Sequence, residues 1–240
     1  MVFKFLIAVI VSLNFVDINN DGKNSKSNGG NMKTLLITCL IFFVATAKAS
    51  ANPKRILMMV SEGFYAPEYY VPFQNFKNQG YEVKTATKYN RATKPDERQR
   101  ETHSPVVPDL TFDQIEFRDF DAIVFAGGNG AWEDFFPNTD VHKALTDFYK
   151  NNKVVALLCS STGLLGVANN LDGKSEPIAA GKNVTGYKRV EGVLVSLGKV
   201  NYQKGEEGKP FVVVDGNLIT GRDPISSELF SETIIKKLSE

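Results

Sequence analysis

Three short runs constrain this chain more than any other feature: RILMMV (55–60), FDAIVFAGG (120–128) and VVALLCSS (154–161). Each is apolar for four or more consecutive positions. A strand that is apolar at every position has to be covered on both faces, which is the pattern of a parallel sheet flanked by helices. The segments between them supply those helices. APEYYVPFQNFKNQG (66–80) spaces its apolar residues at helical intervals and stops at Gly80; NTDVHKALTDFYKNN (138–152) offers Asn138 or Thr139 as a cap. YEVKTAT (81–87) alternates as a second strand, and PFVVVDGNLITG (210–221) comes later. TGLLGVANN begins a short helix behind VVALLCSS, and a C-terminal helix is expected from about Ser226 to Leu238. The polar, proline-containing stretch 88–112 reads as a long surface excursion. The expected fold is α/β: a three-layer sandwich with a mostly parallel central sheet, flavodoxin-like.

That fold needs only residues 52–240, a length sufficient for one domain with a proper core. Residues 32–51, MKTLLITCLIFFVATAKASA, have the three parts of a secretory signal: Lys33, an apolar stretch from Leu35 to Val44, and small residues around Ala49 and Ala51, either of which could precede cleavage. The apolar stretch is too short for a comfortable membrane span. Residues 1–31 read as an over-extended start or leader before Met32, with an upstream anchor as the rival. The expectation is an exported protein, periplasmic or secreted, with no membrane span in the mature chain. A net charge of +1 gives no reason to expect nucleic acid as a partner.

Cleavage would remove Cys39 and leave Cys159 as the single thiol, so no internal disulfide is expected. The plain alternative is a buried, inert cysteine. Position argues for function, because ligands of such sheets bind outside the carboxyl ends of the strands. The loop after RILMMV, the Gly127-Gly128 turn and Cys159 all meet that edge. A strand that turns abruptly into a helix at a nucleophile needs small neighbours, and Ser160, Ser161 and Gly163 provide them. The helix end would favour thiolate, and the N–H groups of Gly128 and Ser160 could converge on an oxyanion.

AIVFAGGNGAWEDF, VVALLCSSTGLLG, VTGYKRVEG and PFVVVDGNLITGRDPISSELF, in that order, resemble the ThiJ/PfpI (DJ-one-like) superfamily over essentially all of 53–240. The resemblance implies a nucleophile elbow at Cys159, a glutamate after the first strand that hydrogen-bonds the thiol, and a homodimer. In SEGFYAPEYYVP (61–72) that glutamate falls on Glu68, with Glu62 as the competing choice. A carboxyl in a dehydrated pocket would have its pKa raised, and protonated Glu68 could donate to the sulfur. Gly127, Asn129, Tyr187 and Arg222 are implied as pocket residues, with Arg222 a candidate anion contact.

The departures from the family pattern are all histidines. Ser160 stands where hydrolase-like branches carry one after the cysteine, Asn129 where the chaperone/glyoxalase branch carries one after the double glycine, and Tyr187 where a third is expected. A Cys-His-Asp/Glu triad is therefore not expected, nor is strong amidase or peptidase activity. His103 and His142 read as surface residues, His103 being the one a long loop could fold over the pocket, and no zinc site is supported. Trp132, Phe135 and Phe136 read as domain-surface or dimer-contact residues. Two functions are consistent with these features. One is cofactor-free, glyoxalase- or deglycase-like chemistry on small reactive aldehydes through Cys159 and Glu68. The other is a non-enzymatic thiol sensor of oxidative stress or a holdase chaperone.

Overall fold

The computed structural model describes residues 52–168 and 176–240; the leader segments 1–31 and 32–51 lie outside them, as do Asn169 and Asn170 of TGLLGVANN. The continuous apolar runs become the strands β1 (Arg55–Met59), β4 (Ala122–Phe125) and β5 (Val154–Leu158). The alternating run becomes β2 (Glu82–Thr87). PFVVVDGNLITG folds into a hairpin of β8 (Val212–Asp215) and β9 (Leu218–Gly221). Gly216 takes φ +68° at the first position of its two-residue loop, a conformation that suits glycine there. A two-residue strand, β3 (Leu110–Thr111), pairs in parallel with β2. It corrects the reading of 88–112 as wholly excursion: two residues of register suffice to extend the sheet edge.

The seven strands lie in the order β3-β2-β1-β4-β5-β9-β8, all parallel except β8, which runs antiparallel to β9. A separate parallel pair joins β6 (Asn183–Val184) to β7 (Asn201–Tyr202).

Six α-helices are described: α1 (Ala66–Asn78), α2 (Ala131–Asp134), α3 (Thr139–Lys150), α4 (Leu164–Val167), α5 (Glu191–Ser196) and α6 (Ser227–Ser239). Asn138 caps α3, its side-chain oxygen accepting from the N–H groups of Asp140 and Val141 at 3.0 and 3.2 Å. Period-two alternation then sorts the strands between two cores. Leu57, Met59, Ile123, Phe125, Val155 and Leu157 face one way, with Leu145 and Phe148 of α3 and Leu164 and Leu165 of α4. Ile56, Met58, Val124, Ala156 and Leu158 face the other way, with Phe76 of α1 and Phe230 and Ile234 of α6. These are three layers, and their consequence for function is geometric: β1, β4 and β5 are adjacent, so their carboxyl ends deliver three loops to one place.

Candidate active site

Cys159 comes directly after β5 and has φ +61°, a left-handed conformation that a non-glycine residue adopts only under constraint. The constraint comes from the small residues behind it. The Ser161 hydroxyl donates to the Leu158 carbonyl at 2.7 Å and accepts from the Leu158 N–H at 3.1 Å. The Thr162 hydroxyl donates to the Cys159 carbonyl at 2.6 Å, which also accepts from the Tyr187 N–H at 3.2 Å. Gly163 admits Phe136 and Val190, whose atoms stand 2.7 and 2.9 Å from where a Cβ would be. The chain leaves the elbow as a 3₁₀ turn (Cys159–Gly163) before the single α-turn of α4.

Glu68 lies in the first turn of α1 with no exposed surface, and its Oε2 accepts from the Gly127 N–H at 2.8 Å. A Cβ added to Gly127 would stand 2.5 Å from Glu68 Oε2 and 2.9 Å from Cys159 Cβ, so carboxyl and thiol-bearing carbon flank one point that only glycine leaves open. Oε1 is buried without an aligned hydrogen-bond partner, and the Cys159 thiol is the neighbouring group able to supply one. Burial raises the Glu68 pKa to about 8 against the opposing hydrogen bonds. Glu62, the competing glutamate, instead points into the excursion, 3.4 Å from Arg91.

Burial also pushes the Cys159 thiol up, as does negative charge on Glu68, while the Ser160 N–H works the other way. The expected bias toward thiolate from a helix end is thus outweighed: the sulfur is buried and the helical segment behind it is short. The expected oxyanion donors also have other partners. The Gly128 N–H donates to the Ser160 hydroxyl at 2.8 Å, and that hydroxyl donates back to the Gly128 carbonyl at 2.7 Å. The Ser160 N–H acts on the thiol, where it favours the thiolate.

The remaining expected residues divide. Tyr187 and Arg222 line an open cleft of about 510 Å³, together with Tyr202, Lys204 and Asp223. The Arg222 guanidinium, expected as an anion contact, is bound to Asp223 and to backbone carbonyls. Asn129 donates to Asp96 at 3.3 Å and so faces the excursion. His103 stacks on Tyr70 of α1 at 5.3 Å, and His142 is half-buried with its Nε2 against the Phe136 carbonyl at 2.8 Å. Phe135 lies in the core between Phe112 and Phe125, not at the surface; Trp132 is exposed and contacts Phe136 edge to face. Among the described residues no three His, Cys, Asp or Glu side chains gather to hold a metal, and no helix is long and apolar enough to cross a membrane.

Asp223 was legible only as the neighbour of Arg222 in the segment that borders the family's pocket, and two residues of the excursion had no sequence signal. Asp223 stands just beyond β9, and its charge raises both Glu68 and Cys159. Asp96 and Arg98 pair through two hydrogen bonds of 2.8 and 3.2 Å in the excursion, and Asp96 also accepts from Asn129 beside the glycine turn. Only folding brings these segments to the elbow.

An elbow cysteine beside a sealed glutamate on this sheet order defines a class. The family model described as the DJ-1/PfpI family matches residues 54–237, and the chain belongs to that family. It is 27% identical over 191 residues to an uncharacterized protein of Methanocaldococcus jannaschii, covering 79% of this chain and 84% of that one. It is 27% identical to a protein of Pyrococcus horikoshii named a deglycase (77% and 99% covered) and 26% identical to glyoxalase 3 of Candida albicans (72% and 88%). The fold matches the crystal structure of Drosophila melanogaster DJ-1beta with a TM-score of 0.65 at 23% identity, covering 78% of this chain and 90% of that one.

Proposed function

We propose that this protein is a cysteine-dependent, cofactor-free enzyme acting on small 2-oxoaldehydes, with Cys159 as nucleophile and Glu68 as the proton carrier. The observation that carries the reading is the sealed Glu68 carboxyl, held by Gly127 against the elbow thiol and still protonated at neutral pH. The relatives named glyoxalase and deglycase agree with it. The reactive form of the pair holds one negative charge shared over two acids. As sulfur bonds to the aldehyde carbon, the carbonyl π pair moves to oxygen, and Glu68 supplies the proton that oxygen takes. The Glu68 carboxylate then removes the C–H proton of the adduct. The neighbouring carbonyl oxygen takes the proton of the adduct hydroxyl as the enediol forms, and Glu68 returns the first proton to the adjacent carbon. That leaves a thioester, which water hydrolyses to a 2-hydroxy acid, freeing the thiol. A thiol adding to an aldehyde needs only mild base assistance, so the missing histidines do not exclude this chemistry. Of the two expected oxyanion donors, the Gly128 N–H is engaged by the Ser160 hydroxyl, which leaves the Ser160 N–H as the candidate for the developing oxyanion.

We propose separately that the protein is exported, with processing after Ala49 or Ala51, because residues 32–51 carry the parts of a secretory signal, and that it is a homodimer, as the family resemblance implies. Conversion of methylglyoxal to lactate tests the chemistry. Cys159→Ala should abolish turnover and Glu68→Gln should remove most of it, a loss on the order of a hundredfold or more. Turnover by the alanine variant at the wild-type rate would overturn the assignment.

A further inference from the structure

One wall of the cleft beside the elbow is the segment 204–209, which joins β7 to β8 without regular structure. The ion pairs of Lys204 with Glu191 and of Lys209 with Glu206 are exposed and add little to its order. Here two independent devices fix it. Gly205 has φ +66°, and a Cβ placed on it would overlap the Phe211 ring, so the segment lies flat against that ring. The second device is Arg222. Its Nη1 donates to the carbonyls of Lys204 at 3.2 Å and Glu206 at 2.6 Å, its Nη2 donates to the carbonyl of Lys209, and its Nε donates to Asp223 at 2.9 Å. The guanidinium thereby joins three points of a six-residue segment to its own neighbour in sequence. Its side chain is only 11% exposed, and its own N–H holds the Phe211 carbonyl at 3.0 Å.

The register places this clamp beside the nucleophile. Gly221 of β9 pairs with Leu158 of β5, so Arg222 and Cys159 leave neighbouring strands at the same level. Asp223, whose charge acts on the thiol and on Glu68, is also held by the Ser226 hydroxyl, which donates to its Oδ1 at 3.0 Å, so it keeps its place without Arg222. A planar fork of five donors can satisfy several carbonyls at once; the single ammonium of lysine cannot reproduce that span.

We propose that Arg222 is a positioning residue that fixes the shape of the substrate cleft, setting affinity for cleft-bound substrate and not the chemistry at sulfur. The part concerning substrate rests on the 2-oxoaldehyde reading above; the clamp itself does not. The test compares full-length Arg222→Met and Arg222→Lys with wild type. Trypsin cleavage after Lys204 and glutamyl-endopeptidase cleavage after Glu206 or Glu207 should each become about tenfold faster in both variants, because local opening governs cutting of a held segment. KM for methylglyoxal should rise about tenfold with kcat within about twofold, the signature of lost binding rather than lost transition-state contact. Millimolar guanidinium added to Arg222→Ala should restore both slow cleavage and low KM, which repair of a general folding defect would not do.

Wild-type cleavage rates in folded Arg222→Met would overturn the clamp, and a fall in kcat at unchanged KM would overturn the positioning role. Should Arg222→Met not fold, Arg222→Lys decides on the same readouts. If wild type itself fails to turn over methylglyoxal, the 2-oxoaldehyde reading falls, and cleavage with guanidinium rescue still decides the clamp.

Discussion

Sealing a carboxyl away from water favours its protonated form, and at Glu68 that preference makes stability depend on pH. Its pKa is raised from 4.5 to about 8. Between those values the folded chain keeps a proton that the unfolded chain releases. The stabilisation is therefore complete below pH 4.5 and is lost as pH rises toward 8, an effect on the order of 4 kcal/mol over the whole window. Glu68→Gln keeps the shape, can still accept from the Gly127 N–H and cannot ionise. Urea unfolding from pH 5 to pH 8 should show wild type weakening steadily while the glutamine variant loses far less. Parallel curves would mean that Glu68 titrates normally. The choice of Glu68 over Glu62 was legible only through motif position; nothing in its own neighbourhood of charges marks it. The tie between the Ser160 hydroxyl and Gly128 was not legible at all, since it joins residues 32 positions apart.

At the scale of elements, local chemistry and local structure agree where the signal is local. The cap on α3 is an example: Asn138 lies just before an amphipathic run, and its oxygen takes two otherwise unpaired N–H groups. Asn138→Ala should lower stability by about 1 kcal/mol, measured by denaturant midpoint, and leave alkylation of Cys159 by iodoacetamide unchanged. A changed alkylation rate would show that α3 and the elbow are coupled. The elbow was legible for the same reason, because Ser160, Ser161 and Gly163 are the small residues such a turn requires. β3 was hidden because Leu110–Thr111 carries no periodicity of its own and becomes a strand only by pairing with β2.

Across the whole molecule, layering was readable because strands covered on both faces must be continuously apolar, and β1, β4 and β5 are. The course of 88–109 was not, because it is fixed by distant pairings. The Gly63 N–H donates to the Lys94 carbonyl at 2.9 Å, the Asp96 N–H to the Phe64 carbonyl at 2.8 Å, and the Ala66 N–H to the Gln99 side chain at 2.8 Å. Export and dimerisation are also properties of the whole chain. Protein recovered from its native compartment should begin at Ser50 or Asn52 by intact mass, and light scattering should give twice the mass of one chain. A retained Met1 or Met32, or a monomer at micromolar concentration, would remove the corresponding part of the proposal.

β5 sits between β4 and β9, and each of those is flanked in turn by a further strand, so no edge of the sheet lies next to the strand that carries the nucleophile. Its amides should be among the last to exchange with deuterated solvent, since freeing them means parting neighbours on both flanks. Warming such a molecule should leave Cys159 at the end of an intact strand until the sheet itself parts.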